Sequence, residues 1–108
     1  MSATATIMQR YEQALELTRA MLEAARRSDW DGLVGLEKER SALVDQLREL
    51  DVNPARDAET REQKRQVLRD IMECDEQIQI LTQDWMRELR EILGSVSAEK
   101  RLSRTYGS

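Results

Sequence analysis

Apolar residues recur every three or four positions along most of this chain, the spacing of helices that bury one face. Over residues 4–27 the stripe is Ile7, Tyr11, Leu15, Thr18, Leu22 and Ala25, widened by Ala14 and Met21. Arg26 and Arg27 fall in the last turn of this predicted helix, where cations suit the helix dipole. Ser28-Asp29-Trp30-Asp31 follows, and Ser28 with an acid three residues on has the form of a capping box. A second helix is predicted over 29–50. Its stripe is Leu33, Leu36, Leu43, Leu47 and Leu50, with Trp30, Val34 and Val44 beside it. The stripe is interrupted between Glu37 and Ser41, where Arg40 takes a position that the spacing makes apolar. Pro54 disfavours helix in the residue before it, so Asp51-Val52-Asn53-Pro54 closes this segment. A polar connection then runs to Asp57 or Thr60.

The third stripe is the longest: Val67, Ile71, Cys74, Ile78, Leu81, Trp85, Leu89 and Ile92 step by three or four over 60–93. The spacing is close to a heptad repeat. A helix of that span is about 50 Å long, and it outruns its two partners. Gly94 is placed to cap it, and 97–106 can form a short fourth helix. The expected fold is all-α: an antiparallel bundle of three long helices plus a short C-terminal helix. The body is 1–94 and the tail 95–108.

The chain of 108 residues suits one domain, and its net charge of −4 gives no footprint for nucleic acid or an anionic membrane. Charge is uneven: 95–108 carries Lys100, Arg101 and Arg104 against Glu99, a basic tail on an acidic body. Phe is absent, so the core must come from Leu, Ile, Val, Met and Ala. His is absent too, which removes the commonest general base and metal ligand. No phosphate-binding glycine loop or nucleophile elbow appears. Cys74 lies on an apolar stripe and reads as a small hydrophobe. The carboxylates of Glu37, Asp84 and Glu91 share helix faces with Arg40 and Arg87, the pattern of a solvated face. The expectation is a protein without catalysis or cofactor. One Cys and no apolar run of bilayer length point to the cytoplasm, without membrane insertion.

The string Trp30-Asp31-x-Leu33-x-x-Leu36-Glu37-x-Glu39-Arg40-x-x-Leu43-Val44-x-x-Leu47 resembles the start of the second helix in FliT-type flagellar export chaperones. A Pro-containing connection, a long third helix with Asp75 near its middle, Ile78 and Leu81 after it, and the run Arg87-x-x-x-x-Ile92-x-Gly94 occur in the matching order. The resemblance covers nearly the whole chain. It implies a chaperone that binds the C-terminal part of the filament-cap protein FliD, holds it soluble, and delivers it to the export ATPase FliI and the export gate FlhA. In some members it also implies binding of the transcriptional activator FlhDC. The family's short last helix covers the client site, and by resemblance 97–106 would do so here.

An amphipathic client helix laid in an apolar groove suits such a role. The candidate lining is Leu33, Leu36, Leu43 and Leu47 with Ile71, Ile78 and Leu81, and Glu37 and Arg40 would orient the client by charge. Arg101, Leu102 and Tyr106 are the candidate tail contacts. Each apolar position also suits an ordinary core. Trp30 reads as a packing residue at a helix start, and Trp85 as core or dimer interface. Two further readings stay open: a helical-bundle or coiled-coil oligomerisation module, and a chaperone or anti-activator for another client. The limited core of a domain this size leaves homodimerisation open.

Overall fold

A computed structural model describes the backbone of residues 3–51 and 58–106, and the side chains of 5–51 and 58–94. Three helices account for it: α1 (Ala3–Arg26), α2 (Trp30–Leu50) and α3 (Ala58–Tyr106). No strand occurs among the described residues. The chain divides into two compact units, Met1–Ile78 and Gln79–Ser108.

In the first unit, α1 and α2 pack together and are joined by a turn of three residues, Arg27 to Asp29. The turn differs from the capping box expected at Ser28. Ser28 adopts φ 57°, a left-handed conformation, and so ends α1 rather than starting α2. Its N–H bonds to the Ala25 carbonyl at 3.1 Å, and the Asp29 N–H reaches back to Ala24 at 2.8 Å. These two bonds satisfy carbonyls that the end of a helix leaves open, in the pattern usually built on glycine. Asp29 is the N-cap of α2, where its Oδ1 accepts from the Gly32 N–H at 3.0 Å. A Cβ at Gly32 would stand 2.3 Å from the other carboxylate oxygen of Asp29, so a side chain there would shift the capping carboxylate.

The core of the first unit lies mainly on α1. Ala14, Leu15, Thr18, Met21, Leu22, Ala24 and Ala25 are buried, joined by Leu43 and Leu47 of α2 and Ile78 of α3. The predicted stripe of α1 is thus the centre of the unit. The stripe of α2 buries only its middle, since Val34 and Leu50 are exposed. Residues 58–78 of α3 meet both other helices through polar pairs. Arg26 Nη2 donates to Gln77 Oε1 at 3.2 Å, Arg40 pairs with Asp75, and Lys64 pairs with Asp51. Along α2 and α3 these pairs run in opposite residue order, 40 with 75 and 51 with 64.

The second unit contains the rest of α3. Leu81, Trp85 and Leu89 are half-buried there, while Ile80, Met86, Ile92 and Leu93 are exposed. The cap expected at Gly94 and the separate fourth helix do not form: α3 runs on through Gly94 to Tyr106. One glycine inside a helix costs about 1 kcal/mol, and no proline follows to enforce a stop. Nothing lies within 4 Å of the Gly94 Cβ position, so no packing demands a bend there.

The turn makes two opposite predictions. Ser28→Gly removes the cost of a left-handed β-carbon and should stabilise the protein by about 1 kcal/mol. Asp29→Ala removes the α2 cap and should destabilise it by about 1 kcal/mol. Urea denaturation of the two variants beside the parent chain measures both; a destabilised Ser28→Gly would contradict the left-handed assignment.

Candidate functional site

A groove of about 530 Å³ opens in the first unit. Ala14 of α1 lies in it, with Val44 and Leu47 of α2 and Leu68 and Ile71 of α3 as its other apolar surfaces. Polar groups surround them: Tyr11, Glu37, Arg40, Ser41, Arg48, Asp51 and Asp75. Two side-chain clusters tie its helices together.

The first cluster joins Tyr11, Asp51 and Lys64. Asp51 ends α2, where its own N–H returns to the Leu47 carbonyl at 2.8 Å. One carboxylate oxygen accepts from the Tyr11 hydroxyl at 2.6 Å and from the Lys64 ammonium. The same ammonium stands 5.1 Å from the centre of the Tyr11 ring, a distance at which a cation is attracted to the ring face. The Lys64 and Tyr11 donors hold the Asp51 carboxyl below its usual range. The hydrogen bond to Asp51 raises the Lys64 pKa. Burial, with the adjoining Asp51 carboxylate, raises that of Tyr11.

The second cluster explains the charge within the α2 stripe. Arg40 Nη1 donates to Asp75 Oδ1 at 2.6 Å and to Thr18 Oγ1 at 3.1 Å. Thr18 is fully buried and donates its hydroxyl to the Ala14 carbonyl at 2.7 Å. Arg40 therefore fills an inward position with its polar end satisfied by groups from α1 and α3. Among the described residues no buried side-chain nitrogen or oxygen lacks a partner.

Of the residues singled out from the sequence, the groove brings together Glu37, Arg40, Leu47 and Ile71. Leu33 and Leu36 are half-buried outside its lining, and Ile78 is buried in the core. Leu43 is also buried, bordering a second concavity of about 440 Å³ between α1 and α2. Leu81 is half-buried and belongs to the second unit. Arg101, Leu102 and Tyr106 have helical backbone, and their side chains lie outside the described residues. Cys74 is half-buried. Met72 and Met86 are 70% and 41% exposed.

Sequence reasoning did not single out Asp51, Lys64 or Val44 as site residues. Asp51 read as part of a helix stop, and Lys64 was assigned no role. Their pairing crosses 13 residues, and that of Tyr11 with Asp51 crosses 40, so no local spacing announces it. The groove itself offers apolar contact with charges at its edge, which is the chemistry of binding an amphipathic segment.

A family model described as "Flagellar protein FliT" matches residues 8–108. A protein of that name from Yersinia pseudotuberculosis serotype O:3 (strain YPIII) is 31% identical over 101 residues, which span 94% of this chain and 84% of the relative. Another from Yersinia pestis bv. Antiqua (strain Angola) is 30% identical over the same shares.

The clusters carry two stability predictions. A carboxyl lowered by folding stabilises above its unfolded pKa, and this contribution is lost as pH falls through the folded value. Groups raised by folding, here Lys64 and Tyr11, stabilise below their unfolded values and lose this as pH rises through the folded ones. Stability should therefore hold between about pH 5 and 9, and fall below about pH 4 and above about pH 10. Asp51→Asn should lower the plateau by about 1–2 kcal/mol and flatten both limbs, as read from urea midpoints across pH. Arg40→Ala leaves Thr18 and Asp75 without their donor and should cost about 1–2 kcal/mol, since Asp75 keeps contact with water. An Arg40→Ala midpoint equal to the parent's would show that the pair adds nothing.

Proposed function

The chain belongs to the FliT family, and from that premise we propose that it is a flagellar type III export chaperone acting by binding alone. Its client is the C-terminal region of the filament-cap protein FliD. The chain keeps that region soluble in the cytoplasm and hands it to the export ATPase FliI and the export gate FlhA. Binding of FlhDC would link cap export to transcription. The observation that carries the reading is the groove between α2 and α3, with apolar Val44, Leu68 and Ile71 and charged Glu37 and Arg40 along one concavity. Such a surface suits the apolar face of a helix that would otherwise aggregate. No helix among the described residues is long and apolar enough to cross a membrane, which agrees with a role in solution.

In this reading the helices of 1–94 form an antiparallel bundle that presents the groove, and 95–108 is a regulatory tail. Arg101, Leu102 and Tyr106 are its contact residues. A second reading, self-association into a homodimer, draws on the exposed Ile80, Met86, Ile92 and Leu93 of α3.

Calorimetric titration with the C-terminal segment of the cognate cap protein tests the proposal. Saturable binding at micromolar Kd or tighter is expected, strengthened when the chain is cut after Gly94. Binding unaltered by the cut would remove the tail's regulatory role. Absence of binding by either form, with a dimer seen in sedimentation, would replace the chaperone reading with the oligomerisation module.

A further inference from the structure

We infer that the groove selects an amphipathic helical segment carrying a basic side chain where it meets Glu37. The inference rests on the chaperone reading and specifies the chemistry of its client. Along α2 the lining runs from Glu37 to Asp51, a length of about 21 Å, or about four helical turns. A bound segment of that length can lay several apolar side chains against Val44, Leu68 and Ile71.

Charge then separates one such segment from another. The acids of the groove are largely answered from within the chain: Asp75 by Arg40, and Asp51 by Lys64 and Tyr11. Arg48 lies 3.9 Å from Asp45. Glu37 differs, since among the described residues no ion pair or hydrogen bond engages it. Its neighbour one turn on, Arg40, directs Nη1 at Thr18 and Asp75. An arriving segment takes water from the Glu37 carboxylate. A lysine or arginine in the segment compensates that loss, an apolar residue does not, and an acid adds repulsion. Among the acids that line the groove, the unpaired one among the described residues is thus Glu37, at one end of the α2 lining.

The test uses two synthetic amphipathic peptides of about 18 residues, enough for the groove's length. They are identical except for one Lys or one Glu at the edge of the apolar face. The full-length chain should bind the Lys peptide about fivefold more tightly, with the ratio approaching one in about 0.5 M NaCl. Glu37→Gln should abolish the preference and Glu37→Lys reverse it. Leu68→Asp, on the exposed groove wall, should weaken both peptides and so place them in the groove. Equal ratios for the three chains, or binding that Leu68→Asp leaves intact, would overturn the inference while leaving the chaperone reading in place. Failure of either peptide to bind, or a second copy of the chain displacing them, would overturn it as well. The cap-segment titration would then decide the chaperone reading separately.

Discussion

The small-residue face of α1 is the constraint on which the first unit depends. Among the described residues, seven of the ten that are buried belong to this helix, and four of those are alanine or threonine: Ala14, Thr18, Ala24 and Ala25. A chain with no Phe cannot fill a wide space between helices with rings. It gains burial by close approach, and alanines on the central helix allow this because dispersion depends on near contact. α1 thus acts as the ground on which α2 and α3 sit, and each of those contributes few buried residues of its own.

The side-chain pairs that join α2 to α3 among the described residues are polar. Arg40 with Asp75, and Asp51 with Lys64, are such contacts, and Thr18 supports the first from beneath. Thr18 occupies a core position where valine would fit by shape. Its hydroxyl supplies the acceptor that makes an inward arginine tolerable there. The apolar side chains left along the seam, Val44, Leu68 and Ile71, become groove surface and not core.

Much of the helical plan was legible. Period and punctuation placed α1 and α2 within a residue or two, while the connection expected at Pro54 lies outside the described residues. The turn was misread because Ser28 suits an N-cap in sequence, and only the backbone shows it in the left-handed region. The stop expected at Gly94 failed because one glycine is a weak breaker without proline or packing to support it. The site was legible in part. The break in the α2 stripe at Arg40 was visible, and Asp75 stood out on α3, but nothing in spacing paired them across 35 residues. Leu43, Leu47 and Ile78 show the limit of stripe reading. Periodicity finds the inward face of a helix and cannot say which inward residues a neighbouring helix then covers.

The two bridges across the seam differ in a way that bears on how the groove can work. Asp51 and Lys64 are 12% and 28% exposed, and Asp51 is held further by Tyr11 and by its place at the end of α2. Arg40 and Asp75 are 19% and 42% exposed, so water reaches the carboxylate of that pair. An ion pair open to water contributes less and is replaced at lower cost than one shielded on both sides. The Asp51 junction therefore fixes one end of the groove, and the Arg40 bridge is the looser tie. A ligand entering beside Glu37 therefore meets the seam at the end where the Arg40 bridge is the looser tie.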